Sequence, residues 1–540
     1  MSRIPAALAG ALLVVAPLGT AAQDAPTGDA VIQRIYEEGM RRSQAYALGQ
    51  VLMDSIGPRL TGSPQNRAAN EWLVRTYASW GIPAKNEKYG TWRDWKRGNS
   101  RVELVSPRVR TLEATMLAWS APTPKSGVTS EVVIVPPVSV TKDSAGFARW
   151  IASTKGKIVL TSMPQPTCRP DTSWAQWATP DWTTAMKAAR DSATAEWRAR
   201  LAVSVTVGTA AGNAVSRGLP MRLEQAGAAA IITSTWSRGW GVQKIFSARA
   251  IHTPTFDVSC EDYGLLARLA ANNQHPIVHA VAESEMAPAE APVYNTVAEV
   301  RGKSLPNEYV MLSSHLDSWD GGSGATDNGT GTIIMLEAMR ILRAAYPTPK
   351  RTMLSGHWSG EEEGDIGSGA YAADHPDVLR GLQVLLNQDN GTGEIDTVRT
   401  VGFVDAAARF ASWMSRMPAD VTRGVAIDVP GYAHDESTDS DAFACRDAPG
   451  FFLNSSDWDY NDYTWHTNRD TFDKISWDAV KKNATLIAML AYEASEDPER
   501  VSRARRIPPI NPKTKQPVAP PTCDTAPRSW AETQAVGGGR

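Results

Sequence analysis

The chain has 540 residues, a hydrophobic fraction of 42% and a formal net charge of -3. It is too long for one typical domain and apolar enough to build large cores. It lacks the basic excess that nucleic acid or an anionic membrane surface demands, so neither is an expected partner.

Arg3, an apolar run over 4–18 and small residues up to Ala22 read as a signal peptide, residues 1–22, with the mature chain starting at Gln23. The run falls short of the ~20 apolar residues a spanning helix needs, and no other stretch reaches that length. A secreted or periplasmic protein without a membrane anchor is expected. Export permits disulfides, yet Cys168, Cys260, Cys445 and Cys523 are scattered and form no C-x-x-C pattern, so one optional bridge or buried thiols are expected.

Residues 23–115 read as the first part of a larger domain, with helical spacing over 30–82 and a Gly/Pro break at 57–64. The texture over 116–293 changes to short β-rich runs such as 131–135, 156–160 and 229–232, which predicts an inserted β-rich domain. Within it 170–205 is a helical excursion rich in Trp, Ala and Arg. Strand-then-helix alternation over 294–497 predicts an α/β fold, a mixed central β-sheet flanked by helices. The Pro-rich tail, 498–540, reads as disordered or draped on the surface.

The chemistry collects in 294–497. An apolar strand at 309–312 leads to His315 and Asp317, and a glycine-rich turn then carries Asp327 to the start of a helix over 332–345. A strand at 351–354 leads to Glu361 and Glu362, and one at 382–386 leads to Asp389. His466 precedes a helical run that starts near Trp477. Strand ends and helix amino ends share one crevice in open α/β sheets, so these groups are expected to converge.

Three carboxylates, two divalent ions and a bridging hydroxide balance to zero charge. Five side chains serve two ions only if one is shared, and Asp327, a short carboxylate at a helix start, is the natural bridge. Imidazole and carboxylate without thiolate suit Zn²⁺, with Mn²⁺ or Co²⁺ as alternatives. Ions ~3.5–4 Å apart would make the water between them a nucleophile near neutral pH. Adjacent Glu361 and Glu362 cannot easily bind one ion, so one is expected as ligand and the other as general base. Asp317 is placed to accept the second ring N–H of His315. His252, His275, His279 and His375 read as structural, His357 as a strand residue beneath the site, and His434 is undecided. Sequons at Asn328 and Asn390 lie beside these acids, where a glycan would block the site, which leans toward a bacterial periplasm.

Four ordered motifs give these residues a family likeness. They are 315–320 with 324–331, the Glu-Glu-x-Gly-x-x-Gly-Ser run at 361–368, Asp389, and 466–471. Together with 57–63 and 95–98 they resemble the M28 family of co-catalytic zinc exopeptidases. The resemblance implies that His315 and Asp389 bind one zinc and that Glu362 and His466 bind the other. It also implies Asp327 as bridge, Glu361 as general acid/base and a protease-associated domain as the insert. Residues 155–160 and 224–232 match that domain, while the excursion between them departs from it and is open as a dimer contact or a lid.

Relatives use a tyrosine to hold the oxyanion, and in this chain Tyr432 is the candidate for that task. Arg469 is the candidate clamp for a substrate carboxylate, and the acidic loop 435–441, with Asp441, a candidate for an amino end. The expected substrate is a dipeptide or short peptide. A glutaminyl cyclase-like single-zinc enzyme and a non-catalytic binding module are the rival readings, and retention of all five ligands speaks against both.

Overall fold

The computed structural model describes residues 28–206, 214–433, 436–510, 513–518, 522–523 and 527–535. The expected signal peptide and His434 lie outside them.

Four parallel strands form the centre of the sheet, in the order Gly450–Ser455, Leu382–Asn387, Leu305–His315, Arg351–Trp358. Every residue of Arg351–Trp358 and Leu382–Asn387 is buried, as strands covered on both faces require. Antiparallel neighbours, Ile395–Arg399 on one side and Ile277–Val300 on the other, make the sheet mixed. The helices Thr330–Ala345 and Trp477–Glu496 pack on each other and on the sheet through nearly continuous apolar faces. The helix Pro64–Ser79 starts with Pro64 in its first turn and Ser63 accepting the Asn66 N–H at 3.1 Å. The Gly/Pro break before it is therefore the turn that begins the helix.

Two long strands, Ala84–Ser106 and Ile277–Val300, pair antiparallel from Ala84–Ala298 to Ser106–Ile277. The second pairs with Arg351–Trp358 at one end and with Val128–Ile134 at the other. This ribbon carries the chain out of the central sheet and back. The boundary expected at 293 falls inside it. At its far end Val128–Ile134, Ile158–Leu160, Ala230–Thr233 and Thr255–Val258 run parallel, and their apolar core is continuous with Leu60, Trp319 and Ile366 of the central domain. The excursion forms the helices Asp171–Trp177 and Pro180–Thr206, and Trp197 packs in a cluster with Phe147 and Trp150.

Two disulfides, Cys168–Cys260 and Cys445–Cys523, correct the expectation of at most one. Their partners lie 92 and 78 residues apart, separations that leave no local signature. The second ties down the tail. Arg528 then pairs with Asp374 at 2.7 Å, and Trp530 packs edge-on to Trp92, ring centroids 5.5 Å apart.

Candidate metal centre

The carboxyl ends of three adjacent parallel strands supply the first half of the centre. His315 is the last residue of its strand, Glu361 and Glu362 follow Trp358 through a tight turn, and Asp389 lies two residues past Asn387. Asp327 reaches the same point from the turn before the helix Thr330–Ala345. At Gly324, in that turn, φ is +58° and a Cβ would sit 2.3 Å from the Ser318 Cβ, so only glycine fits. His466 arrives from the loop after Tyr460–Thr464, itself in the left-handed region at φ 59°.

These side chains converge as two donor groups, His315, Glu361 and Asp389, and Asp327, Glu362 and His466. The atoms of each group lie within 4.8 Å of one another. His315 Nε2 is 2.9 Å from Asp389 Oδ1, and His466 Nε2 is 2.9 Å from Glu362 Oε2. Asp327 stands between them, with Oδ1 3.5 Å from the first imidazole and Oδ2 3.1 Å from the second. Glu361 Oε2 lies 3.9 Å from His315 Nε2.

Fixed hydrogen bonds hold this arrangement. Asp470 accepts from the backbone N–H groups of Thr326 at 2.7 Å and Asp327 at 3.0 Å. Thr438 donates to Asp389 Oδ2 at 2.5 Å. Arg59, fully buried, donates to the carbonyls of Leu316 at 2.7 Å and of Ser323 and Gly324 at 2.8 Å each, bracing the loop between His315 and Asp327. Burial lowers its pKa to about 10, so it stays charged at neutral pH. Of these three, Asp470 lies in the motif 466–471 and Arg59 in 57–63, while Thr438 lies in the acidic loop 435–441 with no role of its own expected.

The electrostatics call for cations. Burial alone would lower His315, yet Asp389 and Glu361 raise it well above its ordinary value. His466 is likewise raised to about 9, burial being outweighed by Glu362 and Asp327. Burial pushes Glu361 well up, with Asp389, Asp365 and Glu362 adding to it and His315 opposing. Asp327 Oδ2 and Glu362 Oε1 are buried with no hydrogen-bond partner among the described residues. Orphaned carboxylate oxygens facing two imidazoles, with no thiolate, fit divalent metal of the zinc type.

Four expectations change in detail. The Nδ1 of His315 meets the backbone carbonyl of Asp317 at 3.1 Å, while the Asp317 carboxylate is 3.7 Å away. That carboxylate instead accepts the backbone N–H groups of Glu361 and Glu362, each at 3.3 Å, and so shapes the Glu-Glu turn. Arg469 pairs with Glu113 and donates to the Gly241 carbonyl at 3.2 Å, which ties its guanidinium to the inserted unit. Asp441 accepts the N–H groups of Glu436 and Ser437 at 2.8 Å each, so the acidic loop touches the centre through Thr438. Tyr432 is half-buried in the turn after Pro430. The phenol beside the carboxylates is Tyr460, raised well above its usual pKa first by burial and then by Asp327, Asp389, Asp470 and Glu362.

A helix-flanked mixed sheet with imidazoles and carboxylates gathered at its strand ends defines a metallo-exopeptidase. Residues 295–491 match the family model described as Peptidase family M28. The chain is 26% identical to carboxypeptidase Q of Mus musculus over 467 residues, covering 86% of this chain and 88% of that one. The Homo sapiens carboxypeptidase Q is 25% identical over the same shares. The fold is shared with a peptidase M28 precursor from Shewanella amazonensis SB2B, at TM-score 0.63 and 23% identity over 89% of this chain and 98% of that one. It is shared too with a zinc aminopeptidase from Bacillus subtilis, at TM-score 0.53 and 18% identity over 85% and 96%.

Proposed function

We propose that this chain is an exported di-zinc exopeptidase acting on dipeptides or short peptides. His315 and Asp389 would hold one ion, Glu362 and His466 the other, and Asp327 both. The observation that carries this reading is Asp327, whose two oxygens are turned to different imidazoles, at 3.5 and 3.1 Å. A single-zinc cyclase has no use for five converging donors.

Zinc held there supplies Lewis acidity, which makes water a better nucleophile and polarises the scissile carbonyl. Glu361 then accepts the proton from the attacking water and returns it to the leaving amine. Asp317, through the backbone of both glutamates, keeps Glu361 turned to the open side while Glu362 faces His466. The inserted unit is read as a protease-associated domain. Two disulfides support export to an oxidising compartment, and no described helix is long and apolar enough to cross a membrane.

The test is the metal content of the chain from Gln23 onward, together with cleavage of an unblocked dipeptide and of its N-acetylated and C-amidated forms. Two zinc ions per chain and hydrolysis of the unblocked form are expected. Loss on acetylation alone means an aminopeptidase, and loss with either block means a dipeptidase. One ion or none at full activity would sink the two-metal reading.

A further inference from the structure

The two donor groups differ in what holds them. His315 donates from Nδ1 to the Asp317 carbonyl and Asp389 accepts from the Thr438 hydroxyl, both partners outside the inserted unit. His466 does not. Four consecutive residues of the inserted unit, 243–246, grip the turn that presents it.

Gln243 and Asn468 are reciprocally bonded. The Gln243 N–H donates to Asn468 Oδ1 at 3.0 Å, Asn468 Nδ2 donates to Gln243 Oε1 at 3.0 Å, and the Asn468 N–H donates to the Gln243 carbonyl at 3.0 Å. Lys244 forms a bridge with Thr467 and places Nζ 3.8 Å from the centre of the Trp465 ring, which itself stacks on His466 at 3.9 Å. The Ile245 N–H donates to the His466 carbonyl at 2.7 Å. Phe246 sets its ring edge-to-face with the His466 imidazole, centroids 5.2 Å apart.

A histidine at φ 59° persists only where its surroundings over-determine that conformation. Here four consecutive residues of those surroundings belong to the inserted unit, and Trp319 of the central domain adds one more ring, 6.1 Å from the imidazole. We infer that residues 243–246 are a latch that positions His466, so that the inserted unit controls the occupancy of one metal position and not of the other. Gln243 and Phe246 are positioning residues in this scheme, acting through His466. Loss of the latch frees the 465–468 turn to relax from its left-handed residue and turns Nε2 away from Asp327 and Glu362. The His315 position keeps its own supports. The inference rests on the two-metal reading.

Metal affinity of the full mature chain tests it. Metal-free protein is titrated with zinc against a chromogenic chelator, for the wild type and for Asn468→Ala and Phe246→Ala. The wild type takes up two ions. Each variant is expected to keep one at wild-type affinity and to bind the other about 10–100-fold more weakly, the usual effect of losing a ligand's support. Asn468→Asp, which keeps the acceptor for the Gln243 N–H, recovers part of the loss. Two sites of wild-type affinity in both variants overturn the latch. So does parallel weakening of both sites, which marks general unfolding. A wild type that binds fewer than two ions overturns the two-metal reading, and the latch with it.

Discussion

In the proposed reaction Glu361 would carry the proton, because it stands in the first donor group, Oε2 3.9 Å from His315 Nε2, and is left over once His315, Asp389 and Asp327 hold an ion. Replacing it by Gln keeps the shape and removes the proton acceptor. Catalytic turnover should fall about 10²–10⁴-fold, with zinc content unchanged, and a variant that also lost zinc would make Glu361 a ligand. His357 illustrates a different use of a buried imidazole. It sits on the strand beneath the site, 2.7 Å from the Tyr77 hydroxyl, and burial lowers its pKa from 6.5 to about 3. The unfolded chain takes up a proton at His357 below about pH 6.5, and the folded one does so only near 3. Its contribution to stability is therefore present above that upper value and is lost as pH falls toward the lower one, a loss of a few kcal/mol at most. Denaturant melts between pH 7 and 4 should show His357→Phe to be less acid-labile than the wild type. An unchanged pH slope would remove His357 from the acid response.

At the scale of elements, the centre is an outcome of parallel strands that end at one level. That much was legible in the sequence, since His315, Glu361, Glu362 and Asp389 each follow an apolar run and Asp327 opens an amphipathic helix. What supports them was less legible. Asp317 meets His315 with its carbonyl, while its carboxylate takes the two N–H groups of the next strand end. Arg469 and Asp441 lie near His466 and Tyr432 in sequence, yet both are engaged in holding loops. Gln243 lies 225 residues from Asn468, and only the folded chain brings them together. The acidic loop makes its own prediction. Thr438→Val removes the hydroxyl from Asp389 and should weaken zinc at the His315 position by about 10–100-fold while sparing the His466 position. Equal weakening of both would show that the loop braces the whole cleft.

For the whole molecule, metal held at these donors would be part of the stability as well as of the proposed reaction. Without it Asp327, Glu362 and Asp389 are close-packed acids faced by His315, His466 and Arg59, with Lys244 acting on Asp327. Chelation should abolish activity and lower the melting temperature, and zinc should restore both, since a ligand bound only to the folded state stabilises it by mass action. A melting curve indifferent to chelator would mean that the folded body tolerates its empty acids without cost.

The ribbon has one more consequence. Ala84 and Ala298 are cross-strand partners, so the chain departs for the inserted unit and comes home at neighbouring positions on one sheet edge. Geometrically this is a plug-in cassette on paired rails. A short hairpin joining those rails would leave a chassis with its parallel strands and its His315 donors intact, expected to retain one zinc. Cassettes grafted from relatives onto that chassis could then be ranked by whether they give the second ion back.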